Sequence, residues 1–151
     1  MSSITLPDAE ATAKLAADIA GKLPNPWSGW MILLQGDLGA GKSTFARAML
    51  QSLGHSGPVP SPTYTLVEPY ALAGGTVYHI DLYRISGFNE LEFLGWQDMR
   101  DGMVVLEWPE RAPELRSRAD LLLQLDYDGS GRTAELKAVS DRARTLFGST
   151  E

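Results

Sequence analysis

Short apolar runs separated by glycine and proline dominate this chain. Met31-Ile32-Leu33-Leu34 and Met103-Val104-Val105-Leu106 hold no polar position. An unbroken run of this length predicts a strand covered on both faces. Thr76-Val77-Tyr78-His79-Ile80-Asp81 predicts another strand, ending in a carboxylate, as Met103 to Glu107 does. Leu15, Ile19 and Leu23 recur every fourth residue, the spacing of one helix face. Thr5-Leu6-Pro7-Asp8 reads as the start of that helix, with Thr5 as cap, and Pro24 ends it. Phe45, Ala48, Met49 and Leu53 predict a second helix over 44–53.

The remaining pattern is more broken. Residues 64–70 are rich in β-formers, and Pro69 predicts a sheet edge or a strand end. Gly74-Gly75 predicts the turn of a hairpin. Residues 87–96 read as a short helix whose Phe88, Leu91, Phe93, Leu94 and Trp96 enter the core, and 109–118 as a polar loop or short helix. Leu121 to Tyr127 and Thr133 to Val139 predict a C-terminal hairpin around Asp128-Gly129-Ser130-Gly131, followed by a last helix over 141–147. Strands and helices interleave, so the expected architecture is an α/β sandwich in one domain spanning 1–151, with a mixed sheet.

One segment adds chemistry to this frame. Gly36-Asp37-Leu38-Gly39-Ala40-Gly41-Lys42-Ser43 fits the phosphate-loop spacing of glycine, four residues, Gly-Lys-Ser/Thr. It stands between a predicted strand and a predicted helix, the context that the motif requires. Glycines let successive N–H groups face one concavity, and the helix start adds partial positive charge. Lys42 reaches terminal phosphates and the Ser43 hydroxyl suits Mg²⁺. The fold expected is therefore a P-loop NTPase-like three-layer sandwich with a mainly parallel sheet, binding a nucleoside triphosphate with Mg²⁺.

Such a site needs carboxylates as well. Asp81 and Glu107 each close an apolar strand. Either one suits the metal, directly or through water, and the other suits orientation of the attacking water. Ser61-Pro62-Thr63-Tyr64-Thr65 occupies the interval where triphosphatases carry switch loops, with Thr63 and Thr65 as candidate sensors of the γ-phosphate, and it reads equally as a plain turn with a β-rich exit. Trp108 reads equally as a ring over the site and as a core or interface residue. His55 and His79 read as structural histidines.

Composition narrows the class. The 151 residues carry a net charge of −6, which argues against a free-standing nucleic-acid binder. The chain has no cysteine, which excludes disulfides, thiolate zinc sites and cysteine nucleophiles and agrees with a cytoplasmic location. Asp8 and Glu10 near the start do not suit a secretory signal, and every apolar run is too short to cross a membrane.

The ordered blocks Gly36 to Thr44, Ser61 to Glu68, His79-Ile80-Asp81-Leu82-Tyr83-Arg84, Glu90 to Phe93 and Glu107-Trp108-Pro109-Glu110 resemble the successive signatures of the TsaE family. These are small bacterial ATPases of tRNA threonylcarbamoyladenosine biosynthesis, and the likeness runs from about residue 5 to about residue 140. It implies weak intrinsic Mg²⁺-dependent ATP hydrolysis, stimulated by the TsaB–TsaD heterodimer and resetting that complex between turnovers. tRNA would be met indirectly, through the complex, and the isolated chain is expected to be monomeric. Carried over, Asp37, Leu38, Gly39, Ala40, Gly41, Lys42, Ser43 and Thr44 bind phosphate. Ser43 and Glu107 become the metal ligands, Asp81 serves hydrolysis and Thr63 belongs to the switch. Arg132, Thr12 and Trp108 lie near the nucleotide. Ser43 and Asn89 depart from the family's commoner Thr and acid. Two other classes fit the phosphate loop: a small-molecule kinase with Arg111, Arg116 and Arg118 as its lid, and a non-hydrolysing nucleotide-binding adaptor.

Overall fold

A computed structural model describes residues 3–62 and 65–148. Seven strands form one sheet in the order β1-β7-β6-β2-β5-β4-β3. They are β1 (Ser3–Leu6), β2 (Met31–Gln35), β3 (Val67–Leu72), β4 (Gly75–Asp81), β5 (Met103–Glu107), β6 (Leu121–Asp128) and β7 (Gly131–Ala138). The central strands β6, β2, β5 and β4 are mutually parallel, while β3, β7 and β1 add antiparallel edges. The C-terminal hairpin is β6–β7, and Pro69 lies on the edge strand β3.

Alternation along β2 explains the layers. Ile32 and Leu34 join a core beneath α1 (Ala9–Lys22) and α2 (Lys42–Ser52), with Leu15, Ile19, Phe45 and Met49. Met31 and Leu33 join a second core on the opposite face. That face is covered by α3 (Phe88–Phe93), a 3-10 helix at Trp96–Asp101 and another at Pro113–Arg118. A strand buried on both sides favours apolar side chains at successive positions, which is why the sequence of β2 reads as an unbroken apolar run. The chain closes with α4 (Asp141–Phe147).

Three expectations need correction. Thr5 does not cap the first helix: it lies in β1, paired with Thr133, and Asp8 is the cap, accepting from the Ala11 amide at 2.9 Å. The 87–96 segment is not one helix, because it breaks at Gly95 (φ 72), where a second, 3-10 segment begins. Phe93 is consequently 93% exposed rather than packed, although Leu91 and Trp96 are buried.

Candidate nucleotide site

The loop joining β2 to α2 lies at the C-terminal edge of the parallel strands, where open α/β sheets place ligands. Its last residue, Gly41, adopts left-handed φ 108, ψ 13, and no side chain caps α2. The first amides of a helix lack intrahelical acceptors, so this uncapped start presents them to the loop's concavity. Side chains hold the loop carbonyls instead. Lys42 Nζ donates to Gly36 O and, at 3.1 Å, to Asp37 O. The Tyr127 hydroxyl donates to Leu38 O at 2.5 Å, and Arg132 Nη2 to Gly39 O at 3.0 Å. The Ala40 amide bonds Asp37 O at 3.0 Å, and its methyl is buried in the core.

Asp81 and Glu107 are register partners on β4 and β5. Parallel register partners point the same way, and Val105 and Met103 on the same face pack beneath α2, so both carboxylates lie on the loop's side of the sheet. Both are buried, at 3% and 2% exposure. Ser43 Oγ donates toward Glu107, 3.2 and 3.4 Å from its two carboxylate oxygens. Asp81 Oδ1 accepts from the Tyr83 amide at 2.8 Å. Trp108, at φ 63 and ψ 51, turns its ring over the Lys42 ammonium, 3.7 Å from the centroid, and its other neighbour is Tyr83 at 4.9 Å. Burial pushes the Lys42 pKa down, against the pull of Glu107, Glu110, Asp81 and Asp37.

Two clefts meet at the loop. One, of about 230 Å³, is bounded by Lys42, Ser43, Asp81, Tyr83, Glu107 and Trp108. The other, of about 160 Å³, is bounded by Thr12, Gly131 and Arg132, with Gly39, Gly41 and Thr44 shared between them. The structure thus brings together the loop, Thr12, Asp81, Glu107, Trp108 and Arg132. Thr63 lies outside the described residues. Its flanks are fixed beside the site: the Leu66 amide bonds Pro62 O at 2.7 Å, and Leu66 O accepts from the Asp81 amide at 3.0 Å. Of the lid candidates, Arg111 sits near the Tyr83 ring (5.7 Å), whereas Arg118 lies over Trp96 at the other end of the sheet.

His79 is a residue that the sequence reading undervalued. It is 1% exposed, and its Nε2 meets Glu107 Oε2 at 2.6 Å, while Nδ1 has no partner among the described residues. Its place two residues before Asp81 on one strand face was a usable signal. Tyr127 was legible in the same way, continuing the inward alternation of Leu121, Leu123 and Leu125. His55 is structural, bonded to Pro58 O and edge-on to Tyr70.

The donors suit a hard cation. Among the described residues no cluster of three or more His, Asp or Glu could cage a metal alone. One hydroxyl beside one carboxylate is the sparse protein contribution that Mg²⁺ takes when phosphates and water complete its shell.

The family model described as "Threonylcarbamoyl adenosine biosynthesis protein TsaE" matches residues 6–135. Proteins named tRNA threonylcarbamoyladenosine biosynthesis protein TsaE are similar over much of the chain. The Haemophilus influenzae protein is 45% identical, covering 78% of this chain and 75% of its own. The Synechocystis protein is 42% identical, covering 75% and 73%. The crystal structure of Bacillus YdiB superposes with a TM-score of 0.71 at 25% identity, over 96% of this chain and 90% of that one. With the family model spanning the phosphate loop and both carboxylate strands, this chain belongs to the TsaE family of threonylcarbamoyl adenosine biosynthesis proteins.

Proposed function

We propose that the chain binds ATP with Mg²⁺ and hydrolyses it to support the TsaB–TsaD complex in forming N6-threonylcarbamoyladenosine in tRNA. The observation that carries the ATPase reading is the Ser43–Glu107 pairing beside the uncapped start of α2. The partner assignment rests on the family.

The residues divide the work. The amides at the start of α2 and the Lys42 ammonium bind the phosphates, with Lys42 turning away from Gly36 O and Asp37 O to do so. Ser43 and Glu107 hold Mg²⁺, which neutralises charge on the phosphate oxygens. His79 fixes the Glu107 carboxylate from behind. That leaves Asp81 as the group that orients the attacking water. Thr12 and Arg132, bounding the neighbouring cleft, face the nucleoside end.

Mg²⁺-dependent phosphate release, measured for the chain alone and with a TsaB–TsaD heterodimer, tests this. Slow release alone and clear stimulation by the heterodimer are expected, with Glu107→Gln lowering the stimulated rate by about 10–100-fold. Tight ATP binding without release under either condition would support the adaptor reading instead.

A further inference from the structure

At the end of the sheet opposite the loop, a cavity of about 400 Å³ opens among the starts of β2 and β5, the Trp96–Asp101 helix and α4. It is larger than either cleft at the loop and lies within the range of small-molecule sites. Trp30, Trp96, Arg100, Arg118 and Arg142 bound it. Three guanidinium groups around one hollow stand out in a chain of net charge −6.

Only one of the three is neutralised among the described residues. Arg142 Nε and Nη2 bond the two oxygens of the buried Asp120 at 2.8 and 2.9 Å, and Nη2 also bonds Gly29 O at 2.7 Å. This leaves its Nη1 without an acceptor among the described residues, beside the Trp30 ring. Arg118 rests over the Trp96 ring at 5.2 Å with no carboxylate partner among the described residues. Arg100 has none there either; its neighbour Asp101 accepts from the Tyr78 hydroxyl at 2.9 Å.

Trp96 forms one wall of the cavity and gives Arg118 a ring to lie on. Arg100 and Arg118 bound the hollow without carboxylate partners among the described residues, and an occupant that satisfies the guanidinium groups must be anionic and rich in acceptor oxygens. The forked guanidinium matches phosphate geometry better than any other common anion except carboxylate, and a phosphate offers more oxygens to several donors at once.

We propose that this cavity binds the phosphate group of a free phosphorylated small molecule, held by Arg100, Arg118 and Arg142 beside the Trp96 ring. A nucleic-acid backbone phosphate presents the same oxygens. The concave wall and the size of the hollow favour a terminal phosphate, which can enter end-on.

The test is a titration of the full chain carrying ¹⁵N-labelled tryptophan, with the Trp96 indole resonance assigned through Trp96→Phe. Pyrophosphate and ribose 5-phosphate are the probes, each added to wild-type and Lys42→Ala protein. A saturable shift of the Trp96 N–H is expected in both, because the cavity is remote from the loop. Arg118→Gln, an exposed and tolerable change, should weaken binding by about tenfold. The proposal is overturned by the lack of a saturable shift, by a shift that vanishes in Lys42→Ala, or by unchanged affinity in Arg118→Gln. A shift produced by a short RNA but by neither small phosphate would also overturn it, and would assign the cavity to a nucleic-acid backbone.

Discussion

Lys42 illustrates how one residue is poised between two uses. Its ammonium is buried, folded onto carbonyls of its own loop and covered by an indole. Its lowered pKa means that the folded chain binds this proton less tightly than the unfolded chain. The resulting penalty is fully present below the folded value and fades as pH rises through that value toward the ordinary lysine value. Lys42→Met removes the penalty. Its stability relative to wild type should therefore decline from neutral to alkaline pH in a series of denaturant titrations, whereas a pH-independent difference would contradict the burial argument. The residues of this site were legible in the sequence because the phosphate loop is contiguous and the carboxylates end unbroken apolar strands. His79 was legible only in part: its place two residues before Asp81 sets its face of β4, but nothing local says that β4 lies beside β5 with Asp81 level with Glu107.

At the scale of elements, the loop depends on how closely β6 approaches it. A Cβ on Gly36 would overlap the backbone carbonyl of Leu125, which cannot move without bending β6. A Cβ on Gly39 would meet only the Tyr127 hydroxyl, the end of a side chain that can swing aside. Gly36→Ala should therefore cost about 3 kcal/mol, near the upper end for overpacking. Gly39→Ala, at φ 82, should cost about 1 kcal/mol, the strain of a left-handed alanine. Urea midpoints of the two variants check the order. The elements that escaped the sequence reading are those with little local pattern. In β1 only Leu6 is buried, so four residues show no period, and the strand exists because β7 offers it an edge. The 87–96 segment has enough apolar residues for one helix, but Gly95 in the left-handed region divides it and leaves Phe93 outside.

The whole molecule separates its chemistry along the strand axis. Buried carboxylates and the phosphate loop occupy the C-terminal edge of the parallel strands, and arginines and tryptophans gather at the opposite edge. The apolar strands between them, buried on both faces, keep the two ends rigidly spaced. Trp108 carries a consequence for timing. Its ring lies on the Lys42 ammonium, the group proposed to receive the phosphates, and its backbone sits in a left-handed conformation joined directly to Glu107. If ATP binds as proposed, its phosphates displace the indole from Lys42, a step whose rate would be independent of how often ATP collides with the protein. In stopped-flow tryptophan fluorescence, the observed rate should rise with ATP concentration and then level off, and Trp108→Ala should abolish the plateau. The indole would thus act as a kinetic gate, setting how quickly the chain can reload between rounds of hydrolysis.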